Sequence, residues 1–277
     1  MSQTLDQGGR SDAPYTLLVN SSDGFADCWD PFFQLLDVYW PDHDCPILLN
    51  TERARYGTRA DVASSQVNHD IPRRLTWSEC LIAAIGQIDT PLLLYMQEDY
   101  FLNHQVDTVR LARAVDQMLG DPAIGHIGLT KHGSKGPFEP WQDANSGFVK
   151  ILRRAQYRIS TQAGLWRPDV LLSYLDPAES GWMFEIFGTR RAWRREDLFL
   201  TVDAQRNGPV FDYTHTGIIK GQWHRNIPAL FVEHDIVVDF AQRGFHKPLP
   251  GPFRKLALGQ KLLSDPKRAF RQLILNR

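Results

Sequence analysis

Residues 76–102 read TWSECLIAAIGQIDTPLLLYMQEDYFL and divide into a helix, a turn and a strand. Thr76 is placed to cap the helix with its hydroxyl, and Glu79, three residues on, completes a capping box. Leu81, Ile82, Ile85 and Ile88 recur at helical spacing. Asp89-Thr90-Pro91 breaks the helix. Residues 91–96, PLLLYM, are short, apolar and uninterrupted, as a strand covered on both faces is. The run then meets Gln97, Glu98 and Asp99. In an open α/β sheet, ligands bind beyond the carboxyl ends of the strands. Glu98 and Asp99 therefore stand where a metal-phosphate site is expected.

Working outward, strands and helices alternate. Residues 15–20 (YTLLVN) read as a first strand followed by the polar loop Ser21, Ser22, Asp23, Gly24. Residues 29–40 fit a helix with Phe32, Phe33, Leu36 and Tyr39 on one face, and 46–50 (PILLN) a second strand. A short strand is expected near 62–67, a helix at 107–119 with Asp107 near its start, and a strand at 124–129. This order predicts an α/β fold with a mostly parallel central sheet flanked by helices. Residues 130–145 are rich in Gly, Pro and Lys and form a long loop of the kind that carries function. Further on, 149–152 and 157–160 read as a hairpin, 168–175 as a helix opened by Pro168, and 179–192 as a second helix. Strands are expected again at 198–202 and 210–213. Helical spacing puts Glu179, Trp182 and Glu185 near one side.

The 277 residues suffice for one large α/β domain, and a formal net charge of -1 gives no global argument for nucleic acid. Charge is concentrated at the end, where 253–277 hold seven Lys and Arg against Asp265 alone. Cys28, Cys45 and Cys80 form no CxxC pair, which speaks for a reducing compartment. No 18-residue apolar run is present, and the N-terminus lacks an apolar signal region. Cytoplasmic residence is expected. No G-x-G-x-x-G, Walker A, G-x-S-x-G or H-E-x-x-H run occurs, which disfavours Rossmann dehydrogenase, P-loop ATPase, esterase and zincin chemistry.

The order of these elements, with PLLLYMQEDYF at its centre, resembles the GT-A glycosyltransferases, in particular bacterial enzymes of polysaccharide and lipopolysaccharide synthesis. The likeness covers roughly residues 15–226. It implies a nucleotide-sugar donor, a glycan or lipid-linked acceptor, and a divalent metal, manganese or magnesium, on the donor diphosphate. On that likeness Asn20, Ser21, Asp23, Trp77, Ser78, Glu98 and Asp99 face the donor. Asp99, with His224 of the GQWH run, would hold the metal. Q-E-D stands here where that family typically has D-x-D or x-E-D, and it is not D-x-D. Residues 15–130 would form the donor half of one catalytic domain and 131–250 the acceptor half. Residues 1–14 would be a disordered lead-in and 251–277 a basic helical tail.

The chemistry explains the residue types. A leaving nucleoside diphosphate gains negative charge, which a divalent ion held by hard oxygen ligands offsets. Neighbours on an extended chain point to opposite faces. One carboxylate of the Glu98–Asp99 pair can thus ligate while the other holds a water or a ribose hydroxyl. An acceptor hydroxyl needs a base, and Glu185, between Trp182, Met183, Phe184 and Phe187, is the candidate, with Glu179 second. Trp166 and Trp182 are candidates for stacking on the acceptor, and Arg190 for binding a phosphate. A nucleotidyl- or phosphotransferase on a similar sheet, or a non-catalytic carbohydrate- or nucleotide-binding module, are the alternatives. The basic, Leu- and Phe-bearing tail reads either as an element for an anionic membrane surface, which would make the protein peripheral at the inner membrane, or as a helix pair packed on the domain with its Lys and Arg in water.

Overall fold

The computed structural model of the protein describes residues 13–142 and 146–248. Its first part follows the expected alternation. Strand β1 (Tyr15–Asn20) leads through a 3-10 turn (Asp23–Cys28) into α1 (Trp29–Tyr39), β2 (Ile47–Asn50) and β3 (Val62–Ser64). Then come α2 (Trp77–Ile85), β4 (Leu92–Gln97), α3 (Thr108–Gly120) and β5 (Ile124–Gly128). The capping box of α2 forms: Thr76 Oγ1 accepts from the Glu79 amide and Glu79 accepts from the Thr76 amide, at 3.1 and 2.9 Å. Asp107 caps α3 through the Arg110 amide, at 2.9 Å.

The later part adds β6 (Phe138–Pro140), β7 (Phe148–Ile151), β8 (Gly164–Trp166) and α4 (Pro168–Tyr174). After α4 the chain runs through α5 (Gly181–Met183), a π-turn (Phe184–Gly188) and α6 (Thr189–Ala192). It ends with β9 (Leu198–Val202), α7 (Ala204–Asn207), the two-stranded β10 (Ile218–Ile219) and β11 (Gln222–Trp223), and α8 (Ile227–Glu233).

Nine strands form one sheet in the order β3-β2-β1-β4-β8-β5-β9-β7-β6. Seven run in one direction, while β8 opposes β4 and β5, and β7 opposes β9 and β6. The sheet is α/β and mostly parallel, as expected. Its strands alternate sides: Leu17, Val19, Leu92, Leu94 and Met96 pack with Phe32, Phe33 and Leu36 of α1 and Leu111 and Val115 of α3. Leu18, Leu93 and Tyr95 pack on the other face with Leu81 and Ile85 of α2 and Leu171 of α4. Cover on both faces is why residues 91–96 carry no polar residue.

Three local expectations fail. Residues 149–152 pair with β6 and β9 rather than with 157–160, because Tyr157 takes a left-handed backbone at φ 51° that leaves extended geometry. Residues 210–213 are not a strand; Tyr213 makes one isolated bridge to Leu102. The helix expected from Glu179 starts at Gly181, capped by Ser180. The expected lead-in, apart from residues 13 and 14, and the basic tail lie outside the described residues. No described helix is long and apolar enough to cross a membrane.

Candidate functional site

At the carboxyl ends of β1, β2 and β4 a buried polar ladder closes the sheet. Ser65 donates to Asn50, Asn50 to Asn20, and Asn20 to the Tyr95 hydroxyl, at 2.9, 2.8 and 3.1 Å. Asn20 is thereby a sheet-end bracket, buried and fully engaged. Ser21 accepts the Trp29 indole N–H at 2.8 Å. Asp23 accepts three successive backbone amides, Glu52, Arg53 and Ala54, at 2.9 to 3.1 Å. Its carboxylate orders the loop after β2. Trp77 packs on Phe184 with ring centroids 5.6 Å apart and fits against Gly181, where a Cβ would come to 3.0 Å of the indole. Ser78, expected at the donor, is buried in the first turn of α2, its hydroxyl without a hydrogen-bond partner among the described residues.

Glu98 and Asp99 are both buried just past β4. Burial pushes the Glu98 carboxyl well above the ordinary value; Asp99 beside it adds to the rise and Arg243 opposes it. Burial raises Asp99 too, against hydrogen bonds that favour its charged form. Those bonds come from the Thr216 hydroxyl and the Ile218 amide at 2.9 Å, both on Oδ2. The Asp99 carbonyl accepts the Gly217 amide at 2.9 Å. Asp99 thus fastens 216–218 to the end of β4. The approach is so close that a Cβ on Gly217 would lie 2.4 Å from the Phe101 ring.

Glu98 and Asp99 are hard oxygen donors of the type a divalent cation takes once they are ionised, and Oδ2 of Asp99 is already engaged by Thr216 and Ile218. His224, expected to hold the metal with Asp99, does not join it. Among the described residues no three His, Cys, Asp or Glu gather into a metal-holding group. The His224 amide donates to Gly217 at 2.7 Å and its Nδ1 accepts from the Asn226 amide at 3.2 Å, so the residue is turned to its own loop.

A cleft of about 820 Å³ opens next to these residues. Its walls include Gln97, Tyr100, Thr161, Gln162, Trp182, Glu185, Thr216 and Ile218, the last two being those that Asp99 holds. Lys131, His132, Lys135, His215 and Lys220 also line it, and Glu185 is its carboxylate. Tyr100 and Tyr213 stack at 4.7 Å, and Gln162 ties their hydroxyls together at 2.9 and 3.2 Å. Lys131 reaches Asp212 at 2.5 Å, and Lys135 lies over the Tyr157 ring at 5.4 Å. His132 stands 4.9 Å from His215. Burial depresses His132 below the usual histidine value, and the proximity of His215 and Lys131 adds to that.

The two candidate bases part company. Glu179 has no exposed surface and forms a bidentate pair with Arg191, at 2.7 and 2.6 Å. This corrects its assignment: the ion pair holds the segment before α5 onto α6, and no ligand reaches the carboxylate. Glu185 lies in the cleft wall. Its Oε1 accepts from the Thr161 amide and hydroxyl, both at 2.9 Å, and from the Ser160 hydroxyl at 3.3 Å. Its sequence neighbours are aromatic, but its spatial neighbours are polar, because the wide π-turn aims Phe184 and Phe187 inward and leaves Glu185 on the opposite side. π-turns inside helices are frequent at functional sites.

Trp182 lines the cleft. Trp166 does not. It is buried on β8, stacked on His126 with centroids 3.9 Å apart, which corrects its acceptor role. Arg190 is exposed over the Phe187 ring at 5.8 Å, away from the cleft. The basic residues of the cleft went unassigned in the sequence, although Lys131 and Lys135 lie in the Gly- and Lys-rich segment marked as functional. His132 and His215 carry no spacing that links them; only the fold does.

No protein-family model matches the chain, and no curated protein does. Among solved structures, S. aureus TarS 1–349 matches with a TM-score of 0.46 and 13% identity over 69% of this chain. The chain spans 58% of that structure. Glucosyl-3-phosphoglycerate synthase from Mycobacterium tuberculosis, in complex with Mn2+, UDP-glucose and glycerol 3-phosphate, matches with a TM-score of 0.44 and 12% identity. That match covers 85% of this chain and 82% of that one. A mycobacterial protein matches with a TM-score of 0.44 and 14% identity, over 83% and 78% of the two chains.

Proposed function

We propose that the protein is a glycosyltransferase that moves a sugar from a nucleoside-diphosphate donor to a hydroxyl of a glycan or lipid-linked acceptor. The observation that carries this is one carboxylate, Glu185, sharing a cleft with the three cations Lys131, Lys135 and Lys220 and with the imidazoles of His132 and His215. Glycosyl transfer needs that contrast: a base for the acceptor and positive charge for the leaving group. Glu185, held through Oε1, takes the acceptor proton on Oε2. The acceptor oxygen then bonds to the anomeric carbon, and the bond to the diphosphate breaks with its electron pair on the diphosphate. The basic side chains stabilise that charge, and Trp182 offers a face to a sugar ring. Trp77, Ser21 and Asp23 act on the donor by shaping the loops around it.

Glu98 and Asp99 are the residues to hold a Mn2+ or Mg2+ ion, which when bound supplies Lewis-acid stabilisation of the diphosphate. Asp99 also orders Thr216 and Ile218 on the cleft wall. The bacterial surface-polysaccharide setting, with the basic tail at an anionic inner-membrane surface, extends the same proposal. The ligands of the mycobacterial synthase, UDP-glucose and Mn2+, are the first to test.

The test is titration calorimetry of the full chain with UDP-, GDP- and dTDP-sugars, with Mn2+ and with chelator, followed by product analysis. Release of a free nucleoside diphosphate supports transfer. Release of pyrophosphate assigns a nucleotidyltransferase instead, and saturable binding without turnover assigns a binding module.

A further inference from the structure

A second concavity, about 310 Å³, adjoins the cleft and is of opposite character. It is lined by Ile186, Trp193, Tyr157, Thr189, Arg190 and Gln156, with Glu185 at its border. Glu185 and Tyr157 line both spaces. Two polar groups of its wall are committed elsewhere. Thr189 Oγ1 bonds the Ile159 amide and carbonyl at 3.1 and 3.2 Å, and the Trp193 indole N–H donates to Ala155 at 3.3 Å. The surface turned to the groove is mainly aromatic and aliphatic, with Arg190 and Gln156 as its polar members.

Local structure builds this groove on purpose-suited backbone. The π-turn puts Glu185 and Ile186 side by side at its mouth. Gly188 lets the turn close on Ile159, where a Cβ would sit 3.1 Å from that side chain. Tyr157 holds a left-handed backbone at φ 51°, a conformation that non-glycine residues keep where the surroundings enforce it, often at ligand sites. Arg154 stands 5.7 Å from the Trp193 ring and Lys135 5.4 Å from the Tyr157 ring, so each ring has a cation beside it.

We infer that this groove takes the apolar portion of the acceptor, an alkyl, isoprenoid or aromatic group attached to the sugar whose hydroxyl meets Glu185. The inference rests on the glycosyl-transfer reading. The argument is continuity: the carboxylate that borders the basic cleft also borders the apolar groove. A donor in the cleft and an acceptor reaching Glu185 from the groove meet at one atom. A purely polar acceptor would leave Ile186, Trp193 and Tyr157 against water. The volume is at the lower end of ordinary ligand pockets, which suits one ring or a short chain segment rather than a whole lipid.

The test uses methyl, butyl, hexyl and octyl β-D-glucosides, below their micellar concentrations, titrated into the full chain. Each buried methylene should tighten binding about fourfold until the groove is full, and then the gain should stop. Ile186→Ser and Trp193→Ala should flatten that slope, and Trp193→Phe should keep most of it. Binding of the nucleotide sugar, measured on the same samples, should be unchanged in all three variants, which also shows that they fold. Equal affinity for methyl and octyl glucoside, or a slope that both truncating variants retain, overturns the groove assignment even if the nucleotide sugar binds. An intact slope with no nucleotide sugar bound overturns the transfer reading instead and leaves an apolar-ligand site.

Discussion

Glu179 and Glu185 belong to the same short segment, and the fold treats them in opposite ways. Glu179 is sealed against Arg191 and has no surface. Glu185 is held by one oxygen and lies between a basic cleft and an apolar groove. A buried carboxylate with a bidentate partner is a brace: its charge is used up, and its removal strands the partner. A carboxylate held by hydroxyls and an amide on one oxygen alone is oriented but still has a free oxygen for a substrate. Which oxygens are taken, more than how buried the group is, separates the brace at Glu179 from the base proposed at Glu185.

The sharpest way to break this comparison is Glu185→Gln. Transfer should fall by about 10² to 10⁴, the usual range for a general base, with nucleotide-sugar affinity and melting temperature unchanged. Near-normal turnover in a rate assay would return the two glutamates to the same footing. The converse substitution, Glu179→Gln, should cost about 3 kcal/mol of stability, since Arg191 is left without its counter-charge. Urea denaturation reads this, and wild-type stability would remove Glu179 as a brace. Gly217→Ala tests whether the cleft wall depends on the close approach at Asp99. A methyl against Phe101 should cost about 1–3 kcal/mol by overpacking and weaken nucleotide-sugar binding with it.

The smallest effect concerns pH. Glu98 has its folded pKa raised above the ordinary carboxylate value by burial. The folded state therefore holds that proton more tightly than the unfolded one. Its contribution to stability is complete below the unfolded pKa and is lost as pH rises through the folded value. Glu98→Gln cannot ionise, so its melting temperature should fall less than the wild type's between pH 5 and pH 8. The gap between the two profiles of melting temperature against pH reads the effect. Parallel melting curves across that interval would contradict it.

The two Glu residues also mark where sequence reasoning worked and where it stopped. The stretch from Thr76 to Gln97 was legible because its signals are local: a capping box, a 3.6-residue apolar repeat and an unbroken apolar run. The α/β alternation up to residue 129 was legible for the same reason. Glu185 was singled out from its chemistry, but its polar setting was not legible, because Ser160 and Thr161 come to it across the fold. Glu179 was misassigned because a regular helix was assumed from residue 179, whereas Ser180 caps a helix that begins after it and a π-turn then alters the phase. Trp166 looked like a platform because nothing local shows that three residues, Gly164–Trp166, become a central strand. The basic set of Lys131, His132, Lys135, His215 and Lys220 is assembled from loops far apart in sequence, which no periodicity can report.

The place of β8 in the sheet has a consequence for the chain as it is synthesised. Strands β1 to β4 pair among themselves and can close as soon as residue 97 is available. Strand β5 is made next, yet both of its neighbours, β8 and β9, lie later in the sequence. Until residues 164–166 emerge, the nascent chain carries an apolar strand with two open edges, and β4 carries one. Such edges are templates for pairing with other chains. A stall or truncation between residues 128 and 164 should therefore yield an aggregating fragment, while one ending near residue 100 should stay in solution longer.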